Sequence, residues 1–321
     1  MKPVEKPVSC DIARGAPAVP RDLRLLAREY FELTKPRVVA LIVFTAVVGM
    51  FLSSPSVFLP LGPFVFGTLG IALAAGSAAA FNHVLDQRAD AVMNRTRARP
   101  LPTGQLTARE AFVFAVALGI ASMAILALGV NTLTAVLTFF SIIGYSVIYT
   151  VWLKHTTPQN IVIGGAAGAA PPILGWTAIT GQVHPDALLL FLIIFTWTPP
   201  HFWALALYRR EEYAKVRIPM LPVTHGVEFT KLQILLYTIL LTAATVLPFA
   251  TRMSGWLYLA GALALDARFL LYAWRLYRNY SDGLARRTFG YSIQYLALLF
   301  ALLLVDHYSA QIREALQSAL Y

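Results

Sequence analysis

Leu61-Gly-Pro-Phe-Val-Phe-Gly-Thr-Leu-Gly-Ile-Ala-Leu-Ala-Ala-Gly-Ser-Ala-Ala-Ala-Phe81 runs without a break into Asn82-His-Val-Leu-Asp86-Gln-Arg-Ala-Asp90. The first part carries no charge and is long enough, as a helix, to cross a hydrocarbon layer about 30 Å thick. The second part sets polar side chains four residues apart, so a helix that continues through it shows Asn82, Asp86 and Asp90 on one face. Eight further apolar runs of similar length lie near 37–54, 110–129, 132–153, 160–181, 187–207, 231–251, 255–277 and 288–308. The 321 residues are 58% hydrophobic and only 13% charged, with a mean hydropathy of +0.64. So few charges cannot coat a water-soluble enzyme of this size. The expected fold is all-α and polytopic, with nine transmembrane helices.

Charge placement tests that count. Of 26 Lys and Arg, eight lie up to Arg37, five from Arg88 to Arg109, five from Arg209 to Lys231 and four from Arg275 to Arg287, with Lys154 in a short loop. Nine spans place all of these on one side, and Arg252 and Arg313 on the other. A missed or invented span would scramble that split. The positive-inside rule then puts the amino terminus in the cytosol and the carboxyl terminus outside, as in a bacterial inner membrane. The net charge of +10 is thus a matter of topology, and no nucleic-acid partner is expected, because the cations alternate with apolar spans. Residues 1–34 read as a cytosolic tail without a signal-peptide core, 35–308 as the membrane domain and 309–321 as a short outer tail. A lone Cys10 excludes an internal disulfide framework and a cysteine-based zinc or iron–sulfur site. Asp266 and Arg268 fall near the middle of the eighth span, where both are expected to face the bundle or find partners.

The face shared by Asn82, Asp86 and Asp90 carries the chemistry. Two carboxylates about 6 Å apart repel by about 3 kcal/mol at an effective dielectric near 20, which a divalent cation reverses. An oxygen-only set without cysteine suits Mg²⁺, which takes few protein carboxylates and fills its octahedron with water and phosphate oxygens. Arg95 and Arg99, four apart, with Arg88 and Arg97, supply donors for such phosphate. They serve equally well as topology signals. Gly164 and Gly168, like Ala72, Gly76 and Ala80, are spaced for close helix packing.

The string Asn82-x-x-x-Asp86-x-x-x-Asp90, followed by Arg95-Thr96 and Arg99-Pro100, resembles the first aspartate-rich motif of the UbiA-type intramembrane prenyltransferase superfamily. Leu33-Thr-Lys-Pro-Arg37, Tyr149-Thr-x-x-Leu153-Lys154, Asn160-Ile-Val-Ile-Gly-Gly165, Thr198-Pro-Pro-His-Phe-Trp-Ala-Leu-Ala206 and Pro219-Met-Leu-Pro-Val223 resemble, in order, its heme-farnesylating branch. The resemblance implies a UbiA-type bundle with a cavity open toward the cytosol. It implies transfer of the farnesyl group of farnesyl diphosphate to a vinyl group of heme B, with addition of water. The alternative acceptor is an aromatic quinone precursor, for which a second Asp-x-x-x-Asp would be expected. This chain has Glu211-Glu212-Tyr213 in its place.

By the same resemblance, Glu212 is the further candidate on the catalytic and metal side, with Glu211 the weaker. Lys35, Arg37 and Lys154 join Arg95 and Arg99 as candidate diphosphate contacts, although Lys154 also serves as a topology signal. His201, next to Pro199-Pro200, is either a satisfied polar contact or a heme contact, and Trp203, with Trp197, is a candidate to stack on the flat heme macrocycle. His83 is its rival on the metal helix. Pro199-Pro200 are expected to kink their span and open a cavity. Arg217 stands where the branch often has a small residue. Membrane lipid is the surrounding partner, and a heme A synthase or a terminal oxidase assembly would take the product.

Overall fold

The computed structural model describes residues 22–309; most of the expected tails, with Cys10 and Arg313, lies outside the described residues. Among these residues there are helices and no strands. They are α1 (Leu23–Leu33), α2 (Pro36–Leu52), α3 (Leu61–Val92), α4 (Ala108–Gly129), α5 (Thr132–Thr156), α6 (Asn160–Thr180), α7 (Pro185–Tyr208), α8 (Arg210–Lys215), α9 (Leu221–Thr224), α10 (Gly226–Ala250), α11 (Trp256–Arg278) and α12 (Asp282–His307). Eight are long and apolar enough to cross a membrane alone; α2, joined to α1 at a bend of 52°, makes nine. Each coincides with one of the nine runs expected from the sequence.

Neighbouring spans pack in chain order, and α12 returns against both α2 and α7 to close the bundle. Hydroxyls tie helices where lipid offers no partner: Ser77 Oγ donates to Ala115 O and Ser122 Oγ to Gly70 O, each at 2.7 Å, joining α3 to α4. The crossing of α2 with α6 depends on two glycines. A Cβ on Gly175 would lie 1.9 Å from Ala46 O, and one on Gly49 2.3 Å from Pro172 O. Gly168, expected to pack, meets nothing.

Three local features position the site. Part of the expected tail forms α1, whose Leu26, Tyr30 and Leu33 pack with Ala80, Leu101 and Leu106. The α1–α2 bend turns on Lys35, held at φ 51°. Within α5, residues Gly144–Leu153 are wound as a π-helix, a form found most often at functional positions. Pro199 and Pro200 do not interrupt α7, which continues as one helix through Tyr208. At Ala170, between the two segments of α6, Pro171 and Pro172 begin a new helical run.

In the middle of α11, Asp266 is buried and accepts from Tyr295 OH at 2.6 Å and Thr245 Oγ1 at 2.7 Å. Arg268 does not pair with it. Exposed on the outside of the helix, it lies over the Tyr291 ring at 4.9 Å.

Candidate active site

α3 does not stop where its apolar stretch does. It carries Asn82, His83, Asp86 and Asp90 as buried residues on its last three turns. The expected face is present. Asn82 Nδ2 donates to Asp86 Oδ2 at 2.7 Å, one turn apart.

Each member of the face has its own cation from a different element. Lys35, at the α1–α2 elbow, donates to Asn82 Oδ1. Lys154, at the end of α5, reaches Asp86 Oδ2 at 2.5 Å, and Arg99, in the α3–α4 loop, reaches Asp90 Oδ2 at 2.5 Å. Thr96 Oγ1 donates to Asp90 O at 3.0 Å and folds the loop so that Arg99 turns back. Three cations around two carboxylates remove the repulsion that the sequence predicts and leave net positive charge. Burial, then the neighbouring Arg99, pushes the Lys35 ammonium down to about 7, while Asp86 and Asp90 pull the other way. A bound anion would hold that ammonium charged.

One oxygen is left over. Asp86 Oδ1 is buried without a hydrogen-bond partner, a position whose desolvation costs about 1–3 kcal/mol unless something fills it. This orphaned acceptor beside the Asn82 and Asp90 oxygens fits an oxygen-seeking divalent cation. Glu212 has the same character: Oε1 accepts from Arg209 NH1 while Oε2 is buried and unpartnered. Glu212 does not join the aspartates, since among the described residues no three His, Cys, Asp or Glu side chains converge to hold one ion. Glu211 is exposed on α8.

The two polar loops come together where Arg95 approaches Tyr213 on α8; burial raises the Tyr213 hydroxyl and the Arg95 charge lowers it. Arg210, bonded to Tyr280 OH at 2.9 Å and Asp282 Oδ1 at 3.3 Å, fixes α8 over the start of α12. Sequence reasoning gave no role to Tyr145 or Tyr213 and quoted Tyr149 only as part of a motif. The rings of Tyr145 and Tyr149 lie 5.5 Å apart on the π-helical turn, within electrostatic reach of Asp86. Their signal was faint, because two tyrosines four apart in an apolar span read as ordinary packing residues, and only the tertiary structure brings them near Asp86. Tyr149 settles against Gly164, where a Cβ would lie 2.2 Å from its ring.

The remaining candidates separate. Arg37 is exposed at the rim of a cavity of about 510 Å³ that Lys35, His83 and Arg99 also line. His201 is stacked between Trp197 at 4.2 Å and Phe289 at 4.6 Å, and its Nδ1 pairs with Ser292 Oγ at 2.6 Å. Trp203 is buried edge-on against Tyr237 of α10, with centroids 5.2 Å apart.

Residues 42–303 match the model of the UbiA prenyltransferase family. The chain is 64% identical over 281 residues to a protoheme IX farnesyltransferase of Nitrosococcus oceani, covering 88% of this chain and 94% of that one. It is 63% identical over 281 residues to the protoheme IX farnesyltransferase of Nitrosospira multiformis, with the same coverage. A digeranylgeranylglyceryl phosphate synthase superposes with a TM-score of 0.74 at 17% identity, covering 88% of this chain and 99% of that one. A UbiA homologue of Archaeoglobus fulgidus, solved with DMAPP and Mg²⁺, superposes at 0.61 with 19% identity, covering 86% and 99%.

Proposed function

The chain belongs to the UbiA prenyltransferase family, and from that membership, its relatives and its site we infer that it transfers the farnesyl group of farnesyl diphosphate to a vinyl group of heme B, forming heme O. The C1–oxygen bond of the diphosphate breaks and its electron pair leaves with the diphosphate. The vinyl carbon then bonds to C1, and water captures the resulting cation and loses a proton. The observation that carries this reading is Asp86, buried between Lys154 and Asn82 with one oxygen unfilled.

We assign Asn82, Asp86 and Asp90 to holding Mg²⁺, with Glu212 on the opposing loop. When bound, the metal offsets the charge that grows on the departing diphosphate. The donors that hold the diphosphate itself are Lys35, Lys154, Arg95 and Arg99, in a site whose low dielectric strengthens each of them. Tyr145 and Tyr149, within electrostatic reach of Asp86, supply aromatic rings near where an allylic cation would form, and the apolar spans keep bulk water from it. The quinone-precursor alternative has no observation in its favour, as the second loop offers Glu211 and Glu212, only one of them part-buried. The charge split of the loops supports an inner-membrane protein with its site on the cytosolic face. Hand-off of heme O to a heme A synthase or an oxidase is consistent with the product.

The test is chromatography of the products from purified protein, farnesyl diphosphate and heme B. Heme O is expected, lost with EDTA and restored by excess Mg²⁺. Absence of heme O at saturating Mg²⁺ would overturn the reading.

A further inference from the structure

We propose that heme B is seated in the cavity at the α1–α2 elbow, with His83 as the ligand to its iron and Arg37 as the partner of its propionate carboxylates. The proposal rests on the reaction inferred above and names where its acceptor binds.

His83 is 2% exposed, and neither ring nitrogen has a hydrogen-bond partner. A buried imidazole left that way is costly, and an unengaged ring nitrogen is a ready ligand for heme iron. The ring lines a cavity of about 510 Å³, within the range of small-molecule sites. The cavity wall is amphipathic. Phe31, 62% exposed, and Val38, 55% exposed, offer apolar surface, while Lys35, Arg37 and Arg99 offer positive charge. Glu32, the acid on this wall, is held by Arg28 at 3.2 Å. Farnesyl diphosphate could use the apolar wall and the cations, but it has no use for an unpartnered imidazole. A flat apolar macrocycle with an iron at its centre and carboxylates on one edge uses all three.

Register places this cavity beside the metal helix face. His83 follows Asn82 and is turned about 100° from it. Lys35 serves both sides, lining the cavity while its ammonium donates to Asn82. Donor and acceptor would thus meet across one lysine. The rival histidine offers no such seat: His201 does not line this cavity, its Nδ1 is paired with Ser292 Oγ at 2.6 Å, and its ring is packed between Trp197 and Phe289.

The experiment titrates heme B into the full-length protein in detergent, read by the Soret band, beside the farnesyl diphosphate KM. His83→Ala is expected to weaken heme B binding by about tenfold or more and to shift the Soret band, since each factor of ten is only about 1.4 kcal/mol. Iron-free protoporphyrin IX should bind wild type and His83→Ala within about twofold, and the farnesyl diphosphate KM should also stay within about twofold. Arg37→Ala should weaken heme B binding but leave the dimethyl ester of heme B unaffected. An unchanged Soret band and heme affinity in His83→Ala, or a loss confined to His201→Ala, would overturn the seat. If His83→Ala does not fold, equal wild-type affinity for heme B and protoporphyrin IX overturns it as well. Wild type that binds heme B through His83 yet makes no heme O would sink the reaction and leave the seat standing; heme O production with wild-type heme KM in His83→Ala does the reverse.

Discussion

Asp266 and Asp86 are buried in this bundle with similar exposure and opposite surroundings. Asp266, 2% exposed on α11, has each oxygen taken by a hydroxyl, Tyr295 from α12 and Thr245 from α10. Asp86, 5% exposed on α3, has one oxygen shared by Lys154 and Asn82 and the other by nothing. The first is a closed arrangement that joins three helices. The second is held open among cations. Burial alone does not distinguish a structural acid from a functional one; what its oxygens still lack does.

The largest effect expected of this contrast is at Asp86. Asp86→Asn should lower heme O formation by about 10³-fold, the scale for losing a group that acts on developing charge, with the melting temperature within a few degrees of wild type. Because the asparagine keeps an oxygen for Lys154, the fold has little to lose. An Asp86→Asn protein with more than a tenth of wild-type turnover would erase the distinction from Asp266.

Next is the pair on α8. Glu212 has an unpartnered buried oxygen and Glu211 is exposed. Glu212→Gln should cost about 10- to 100-fold in kcat/KM, the range seen when groups that support a metal site are changed. Glu211→Gln should stay within about twofold. Equal losses at both would mean that α8 contributes charge rather than a placed carboxylate.

Asp266→Ala should do the opposite of Asp86→Asn. It strands two hydroxyls whose intramembrane hydrogen bonds are worth about 0.6–1.7 kcal/mol each. The melting temperature should fall by several degrees while turnover per folded molecule stays within about twofold. A selective loss of turnover at unchanged stability would make Asp266 part of the chemistry.

The same contrast explains what could be read before the structure. Nine spans were legible because each needs its own run of about twenty apolar residues, and the metal face because a four-residue spacing on a helix needs no tertiary information. The cations were harder. That Lys154 meets Asp86, 68 positions away, depends on a π-helical turn that no local preference in Gly144–Leu153 announces. α1 was missed as structure, although Leu26, Tyr30 and Leu33 keep helical spacing, because a short amphipathic helix between prolines and charges looks like a tail. Asp266 was visible as a buried acid, but the hydroxyls that close it come from two other helices. The unpartnered nitrogens of His83 exist only as a result of packing.

The smallest effect tests two strained backbones against each other. Arg217 ends α8 at φ 53°, with its N–H bonded to Ala214 O at 3.1 Å and the next N–H, from Ile218, to Tyr213 O at 3.1 Å. That pairing is a helix stop whose left-handed residue is most often glycine. The guanidinium is exposed, away from the contacts described for the site, so Arg217→Gly removes a side-chain penalty of about 1–2 kcal/mol. Glycine's greater freedom in the unfolded chain offsets about 0.5–1 kcal/mol of that. The net gain should be about 0–1.5 kcal/mol, seen as a melting temperature equal to wild type or slightly higher, with unchanged turnover. Lys35 has nearly the same φ, 51°, and Lys35→Gly relaxes its backbone in the same way, but it removes the ammonium that holds Asn82. A melting temperature kept in both variants, with the farnesyl diphosphate KM raised only in Lys35→Gly, would show that the left-handed turn at the elbow is tolerated for the charge it delivers.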